Sequence, residues 1–408
     1  MCWWCCSHSS TGPSPAARLK EWGVPADTSP VTDTLPLIES PTLIESGTDE
    51  LRSIRPLLRA ASELGASDLH LKVGSPPRVR IDGRLRHLDT PPLTAAETAA
   101  MCREVIRSDL VDEFERTHEA DFAFADDRLG RFRVNAFHQR GVVGLVLRRV
   151  SVGAIPLAEL SLPAAVSQLA LEPRGLVLVT GPTGSGKSTT LAGMIDHVNS
   201  SREVHIMTVE DPIEVVHIDK MAMVNQREVR VDTDDFVSAM RAAMRQDPDV
   251  ILIGEMRDRE TVHAAISAAE TGHVVFSTLH TVDAQETVAR IIDFFPPHEQ
   301  QQVRTSLAGA LRGVICQRLV TRADGQGRCV AMEIAINTGR IAEAIVDPMK
   351  TGTINTIVSE GDFYGMQTFD QHLITLFRDG VVTLDSALEA STSPHDLSVA
   401  LRQLGLLH

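Results

Sequence analysis

Gly175-Leu176-Val177-Leu178-Val179-Thr180 runs straight into Gly181-Pro182-Thr183-Gly184-Ser185-Gly186-Lys187-Ser188-Thr189, and the reading of this junction decides the fold. The first part is a short apolar run rich in Val and Leu, the pattern of a strand buried on both faces of a parallel sheet. The second fits G-x-x-x-x-G-K-[ST]. Its glycines let successive backbone N–H groups turn inward at a helix N-terminus, where the helix dipole also favours negative charge. A helix is expected from Ser188 to Asn199. Such a motif is a nucleotide-phosphate cradle, in which Lys187 would reach the β- and γ-phosphates of ATP and the Ser188 hydroxyl would ligate Mg²⁺.

Downstream, an apolar strand from Val204 ends in the acids Glu210, Asp211 and Glu214. Open α/β sheets put ligand chemistry at the C-terminal ends of their strands, so these carboxylates could position Mg²⁺ or polarise water. After a helix from Asp234 to Arg245 comes Asp249-Val250-Ile251-Leu252-Ile253-Gly254-Glu255. It reads as a Walker-B strand with a glycine before the acid and Glu255 in the usual place of Asp. Glu255 is the leading candidate to organise the Mg²⁺ shell or the attacking water, since phosphoryl transfer needs in-line positioning more than covalent help. Helix capping by Asp258 and Glu255 is the competing structural role. An Ala-rich helix, Thr261 to Thr271, leads to a strand flanked by His273 and His280. His280, in a polar Thr-Leu-His-Thr segment, is a candidate γ-phosphate sensor; His273 is a weaker one. Alternating strands and helices make the class parallel α/β. The C-terminal part reads as mostly helical: His298 to Leu319, Arg340 to Val346, Thr368 to Arg378 and Leu384 to Leu404. A hairpin turn at Asp324–Gly327 precedes a strand from Cys329 to Ile336.

Upstream, residues 1–50 carry six prolines among Ser and Thr and read as a disordered tail, with a near-repeat of Leu-Ile-Glu-Ser. Residues 51–150 read as a small α+β domain: a helix ending at Gly65, a hairpin-like pair around Gly74, a helical stretch from Thr94 to Glu115 with Thr94 and Glu97 as a capping box, and three more strands. Arg78 and Arg80, then Arg131 and Arg133, alternate along strands, so each pair shares a face. Two readings stay open: a solvated polar face, or arginines offered in trans to a neighbouring subunit's nucleotide. Residues 151–173 form a linker and 174–408 the ATPase domain.

The net charge of −15 argues against a chain-wide electrostatic grip on nucleic acid. No apolar run approaches the ~20 residues of a spanning helix, and no basic segment leads an apolar one at the start, which points to the cytoplasm. The six cysteines are spaced neither as a disulfide framework nor as a paired zinc site. The cluster of Cys2, Cys5 and Cys6 with His8 reads as part of an extension without a catalytic role, with acylation or metal binding as the alternatives.

Together Gly181–Thr189, Val209-Glu-Asp-Pro-Ile-Glu214, Asn225–Val229, Gln246–Asp258, Ala269-Glu-Thr-Gly-His273 and Thr278-Leu-His-Thr281 resemble the secretion and type IV pilus ATPases, most of all their retraction (twitching motility) branch. Ala66-Ser-Asp-Leu-His-Leu71, Arg131–Phe137 and Gly365–Asp370 extend the resemblance from about Leu58 through Asp370. It implies a RecA-like P-loop ATPase domain, a smaller PAS-like N-terminal domain, a helical C-terminal part, a homo-hexamer, an inner-membrane pilus platform protein as partner, and placement at the inner face of the cytoplasmic membrane. A paralogous pilus ATPase is a further possible partner, and no nucleic acid is expected. The family's Asp box falls on Glu210, Asp211 and Glu214, its Walker B on Glu255, its His box on His273 and His280, and its interface arginines among Arg78, Arg80, Arg131 and Arg133.

Arg340-Ile-Ala-Glu-Ala-Ile-Val-Asp347 departs from the retraction branch's Ala-Ile-Arg-Asn-Leu-Ile-Arg-Glu by losing both arginines. The tetracysteine insertion of the extension and type II secretion relatives is replaced by the direct connection Thr321–Gly327. The expectation is therefore a retraction-type motor. The alternatives are an accessory, nucleotide-binding ring subunit with little turnover, a secretion-type ATPase and a DNA translocase.

Overall fold

A computed structural model describes residues 34–35, 52–81 and 83–407. The readings of residues 1–50 and of the cluster at Cys2, Cys5, Cys6 and His8 lie outside them, Thr34 and Leu35 excepted. Contacts divide the chain into two compact units, one of residues 1–105 with 136–146 and one of residues 106–135 with 147–408.

The strands toward the N-terminus are β1 (Thr34–Leu35), β2 (Asp68–Leu71), β3 (Arg78–Ile81), β4 (Arg84–Leu88), β5 (Glu119–Asp126), β6 (Gly130–Gln139) and β7 (Val142–Arg149). They form one sheet in the order β1-β4-β3-β2-β7-β6-β5. β2 and β3 pair antiparallel with Leu69 opposite Val79, both buried. β3 reverses into β4 at Gly83, whose φ of +77° suits glycine. On β6 the buried side chains are Phe132, Val134 and Ala136, so Arg131 and Arg133 share the other face, as period-two alternation requires.

The capping box forms. Thr94 N–H donates to Glu97 Oε2 at 2.8 Å, and Glu97 N–H donates back to Thr94 Oγ1 at 3.2 Å. The helix it starts, Ala95–Val105, is shorter than the expected Thr94–Glu115. Arg107 turns extended at ψ 143°, its guanidinium closes on Asp109, and Val111–Thr117 restarts as a separate helix.

In the larger unit follow β8 (Ser151–Val152), β9 (Gly175–Thr180), β10 (His205–Glu210), β11 (Val215–Val216), β12 (Met223–Glu228), β13 (Val250–Ile253), β14 (Val274–Leu279), β15 (Leu311–Thr321) and β16 (Arg328–Ile336). β8 and β11 make a short parallel ribbon. The others form the main sheet in the order β12-β10-β13-β14-β9-β15-β16. All neighbours are parallel except β15 and β16. β9, between β14 and β15, is buried along its whole length. Its alternation feeds two cores. Leu176 and Leu178 join Ile251, Ile253 and Val275 under helices that include Arg259–Glu270 and Ala284–Asp293. Val177 and Val179 join Leu252 and Phe276 under Ala164–Ala170 and Lys187–Ser201. Burying one such side chain is worth about 1.5–3 kcal/mol.

The expected helix His298–Leu319 is corrected. The helix is Pro297–Ala310, and Leu311–Thr321 is β15. β15 fills the free edge of β9, pairing Val314 with Leu178 and Cys316 with Thr180, while β16 bonds its other side. Residues 313–316 are thus paired on both sides and 317–321 continue the ladder with β16, which outweighs helical spacing. A Cβ at Gly313 would lie 2.8 Å from both Leu169 methyls, so the close approach of that strand needs glycine.

The expected helix Leu384–Leu404 is broken before Pro394 into Leu384–Ala390 and Pro394–Gln403. Within the linker 151–173, Leu157–Glu159 and Ala164–Ala170 are separated at Pro163. β12 and the helix Ala284–Asp293, capped by the Asp283 side chain, are added to the expectation.

Candidate active site

β9, β13 and β14 are parallel neighbours, so their C-terminal ends lie along one edge of the sheet. β9 delivers the glycine loop there. Gly181, Gly184 and Gly186 take φ of +141°, +79° and +92°, conformations that L side chains rarely adopt. A Cβ on Gly181 would strike the Gln317 carbonyl oxygen at 2.4 Å and Ser185 Oγ at 2.7 Å, while Gly184 opens onto clear space. Pro182, Thr183 and Gly184 are exposed, as are Ser188 and Thr189 in the first turn of the helix Lys187–Ser201. The first N–H groups of that helix have no intrahelical acceptor and carry the positive end of its dipole. The loop therefore fits an anionic phosphate chain, and the Ser188 hydroxyl on its rim fits a Mg²⁺ ligand.

Lys187 Nζ donates to the carbonyls of Gly181 at 2.7 Å and Pro182 at 3.1 Å. Burial pushes its pKa down, opposed by the nearby Glu255 and Glu214 carboxylates. β13 brings Glu255 to the same place through Gly254, whose N–H bonds the Val209 carbonyl at 2.8 Å and whose own carbonyl accepts from Thr278 Oγ1 at 2.7 Å. Glu255 is only 14% exposed. It forms an ion pair with Arg257, and His280 Nε2 lies 3.6 Å from its Oε2. The other ring nitrogen of His280, Nδ1, is 3.5 Å from Lys187 Nζ. His280 thus stands between the lysine of the loop and the acid of β13. The capping role belongs to Asp258 alone, which accepts from Thr261 N–H at 2.8 Å.

Glu210, at the end of β10, accepts from Thr208 Oγ1 at 2.6 Å and Gln226 Nε2 at 3.1 Å, and also from the Glu214 N–H. Desolvation outweighs these bonds and pushes its pKa up. Glu214 itself is exposed, and Asp211 lies 3.8 Å from Arg230.

The remaining expected residues are not gathered at this edge. His273 precedes β14, where its carbonyl accepts from Gly175 N–H at the start of β9, the end of the strand opposite Gly181. Its Nδ1 is 3.0 Å from the Ala268 carbonyl, closing the end of the helix Arg259–Glu270. Arg131 is bonded to buried Glu228 at 2.7 Å, and Glu228 also accepts the Ile213 N–H. Arg133 pairs with Asp121 at 2.5 Å, which pushes its pKa up. Arg80 bonds the Gly83 carbonyl at 2.8 Å and faces Asp68, while Arg78 is exposed on β3.

Sequence reading missed Gln317, fully buried on β15, whose Nε2 donates to the Ser185 carbonyl at 2.8 Å. Gln226, which holds Glu210, lies in the motif Asn225–Val229, but nothing in that motif gives it a role. No local motif marks Gln317. Only the neighbouring strands β15 and β12 carry the two residues to the site.

The profile of the Type II/IV secretion system protein family matches residues 48–357. The type IV pilus "retractation" ATPase PilT of Pseudomonas aeruginosa is 44% identical over 343 residues, covering 84% of this chain and 99% of the relative. The type IV pilus ATPase PilU of the same organism is 40% identical over 346 residues, covering 85% of this chain and 90% of the relative. A crystal structure of the pilus retraction motor PilT with bound ADP matches with a TM-score of 0.78 at 45% identity, covering 85% of this chain and 99% of that one.

Proposed function

We propose, from the premise that this chain belongs to the Type II/IV secretion system protein family, that it is an ATP-hydrolysing motor of the pilus-retraction type. The observation that carries this reading is the convergence of Lys187, Glu255 and His280 on the rim of the glycine loop. The loop N–H groups and Lys187 bind the phosphates, Lys187 exchanging the carbonyls of Gly181 and Pro182 for phosphate oxygens. Ser188 would hold Mg²⁺, which when bound supplies charge neutralisation across the phosphates.

Glu255 orients water for in-line attack on the γ-phosphorus. The bond to the β–γ bridging oxygen breaks, and the carboxylate takes the water proton. His280, in reach of both Glu255 and Lys187, reads whether the γ-phosphate is present. Glu210 and Glu214 set the field beside them. The trans-arginine role falls to Arg78, Arg80, Arg131 or Arg133, of which Arg80, Arg131 and Arg133 would first have to leave their acidic partners.

The working assembly is a homo-hexamer at the inner face of the cytoplasmic membrane, acting on a pilus platform protein and sharing the task with a paralogous ATPase. Attachment in this reading is peripheral; no helix among the described residues is long and apolar enough to cross a membrane. One observation favours the second reading, an accessory ring subunit. The helix Gly339–Val346 buries Ile341 and Ile345, but Ala342 and Val346 stand where the retraction branch has arginines.

Steady-state ATPase of the purified chain beside Lys187→Ala, with oligomer mass on the same samples, separates the readings. Mg²⁺-dependent turnover by a hexamer, lost in the variant, is the expected result. A hexamer that binds ATP without hydrolysing it would sink the motor and leave the accessory subunit.

A further inference from the structure

We propose that Gln317 is a positioning residue for the phosphate cradle, its side-chain amide fixing the Ser185–Gly186 peptide so that the Gly186 N–H faces the phosphates. This rests on the nucleotide-site reading above and adds to it a residue far away in sequence.

Gln317 follows directly on the point where β15 pairs Cys316 with Thr180, the last residue of β9 before the glycine loop. It is fully buried, and its Nε2 donates to the Ser185 carbonyl at 2.8 Å across 132 residues of chain. The Ser185–Gly186 peptide is trans, since Asp211–Pro212 is the one cis bond among the described residues. In a trans peptide the C=O and the following N–H point to opposite sides. Drawing the Ser185 oxygen toward β15 therefore turns the Gly186 N–H away from it, toward the exposed side of the loop that Thr183, Gly184 and Ser188 line.

The same residue shapes both flanking glycines. A Cβ on Gly186 would lie 3.1 Å from Gln317 Nε2, and a Cβ on Gly181 would lie 2.4 Å from the Gln317 carbonyl oxygen. The amide has only one usable orientation, because the reverse would set Oε1 against the Ser185 oxygen, acceptor against acceptor. In that orientation Oε1 is buried without a hydrogen-bond partner. An apolar side chain of like size would leave no such orphan, so packing alone does not explain an amide at this position.

The test measures Mg-ADP affinity by calorimetry, with the nucleotide-free melting temperature and oligomer mass of the same proteins. Gln317→Met keeps length and volume but has no donor. Gln317→Glu keeps the shape but turns an acceptor toward the Ser185 oxygen. Gln317→Met should weaken Mg-ADP at least tenfold, and Gln317→Glu at least as much, with the melting temperature and mass of the Met variant unchanged. If wild-type protein binds Mg-ADP and both variants bind it within twofold, Gln317 is packing and the inference is overturned alone. A loss of affinity that only tracks a loss of folded protein in both variants overturns it as well. Failure of the wild type to bind Mg-ADP would overturn the nucleotide-site reading, and this inference with it.

Discussion

His273 and His280 flank the same strand, β14, and occupy opposite ends of it. His280, after the strand, stands between Lys187 and Glu255. His273, before it, closes the end of a helix through the Ala268 carbonyl. Equal distance from a strand in sequence does not mean equal access to chemistry. In a parallel sheet all C-terminal ends share one edge, and the loops there can meet. The two edges also differ in what they bury. The functional edge is lined by acids that have lost water, including Glu210 and Glu333. The opposite edge ties its backbone groups down locally, as where Asp249 Oδ2 accepts the His205 N–H at 2.9 Å and the Asp249 N–H donates to the His205 carbonyl at 2.9 Å.

The sharpest way to break this contrast is to remove the chemistry from the functional edge. Glu255→Ala should lower kcat by roughly 10²–10³-fold, the scale seen when one preorganised group is lost from a transition state. Near-normal turnover by the purified variant would remove Glu255 from its assigned role.

Glu333 offers the next largest effect. It is 5% exposed on β16, opposite Cys316, and accepts the Ala284 N–H at 2.8 Å just beyond the His280 loop. Burial, with Asp283 nearby, pushes its pKa up to about 7 against the opposing Ala284 N–H bond and the weaker pull of Arg318. Between 4.5 and about 7 the folded chain then holds a proton that the unfolded chain has released, so stability falls as pH rises through that window. Glu333→Gln keeps an acceptor for Ala284 and does not titrate. Urea unfolding should show the wild type losing up to about 3 kcal/mol relative to the variant across that window, since a tenfold change in proton affinity is worth about 1.4 kcal/mol. A difference that does not change with pH would refute the raised carboxyl pKa.

His280→Ala should reduce kcat about tenfold, a barrier change near ~1.4 kcal/mol. His273→Ala should leave kcat within about twofold and cost about 1 kcal/mol of stability, the worth of a typical hydrogen bond. If the two variants lost activity equally, the distinction between the edges would fail.

Glu97 sets off the behaviour of Glu333. In the smaller unit its carboxylate meets Arg52 and the Thr94 cap, and its pKa is held at about 2. Burial with a cation and N–H donors lowers a carboxyl; burial with one backbone donor and a neighbouring acid raises it. The capping box was legible as Thr94 and Glu97 three residues apart. The cation on Glu97 was not, because Arg52 reaches it from outside the helix across 45 residues.

The same division holds through the rest of the chain. The glycine loop, the strand ending in Glu255 and the alternation that puts Arg131 and Arg133 on one face are local patterns, written in residues that lie next to one another. β15 was read as helix because the spacing of 298–319 carries no mark of the free edge of β9 that captures its second half. The break before Pro394 is visible as a proline, but the helical spacing of 384–404 continues through it.

By itself the sequence determined that this chain builds a glycine loop on a parallel α/β sheet, since the glycines, Lys187 and the apolar strand before them are contiguous and their conformational demands are local. Tertiary structure alone decided which distant groups stand around that loop and its neighbouring acids: His280 and not His273, Gln226 under Glu210, and Gln317 behind Ser185. Those choices follow from strand order and register, which arise from pairing between segments far apart in the chain.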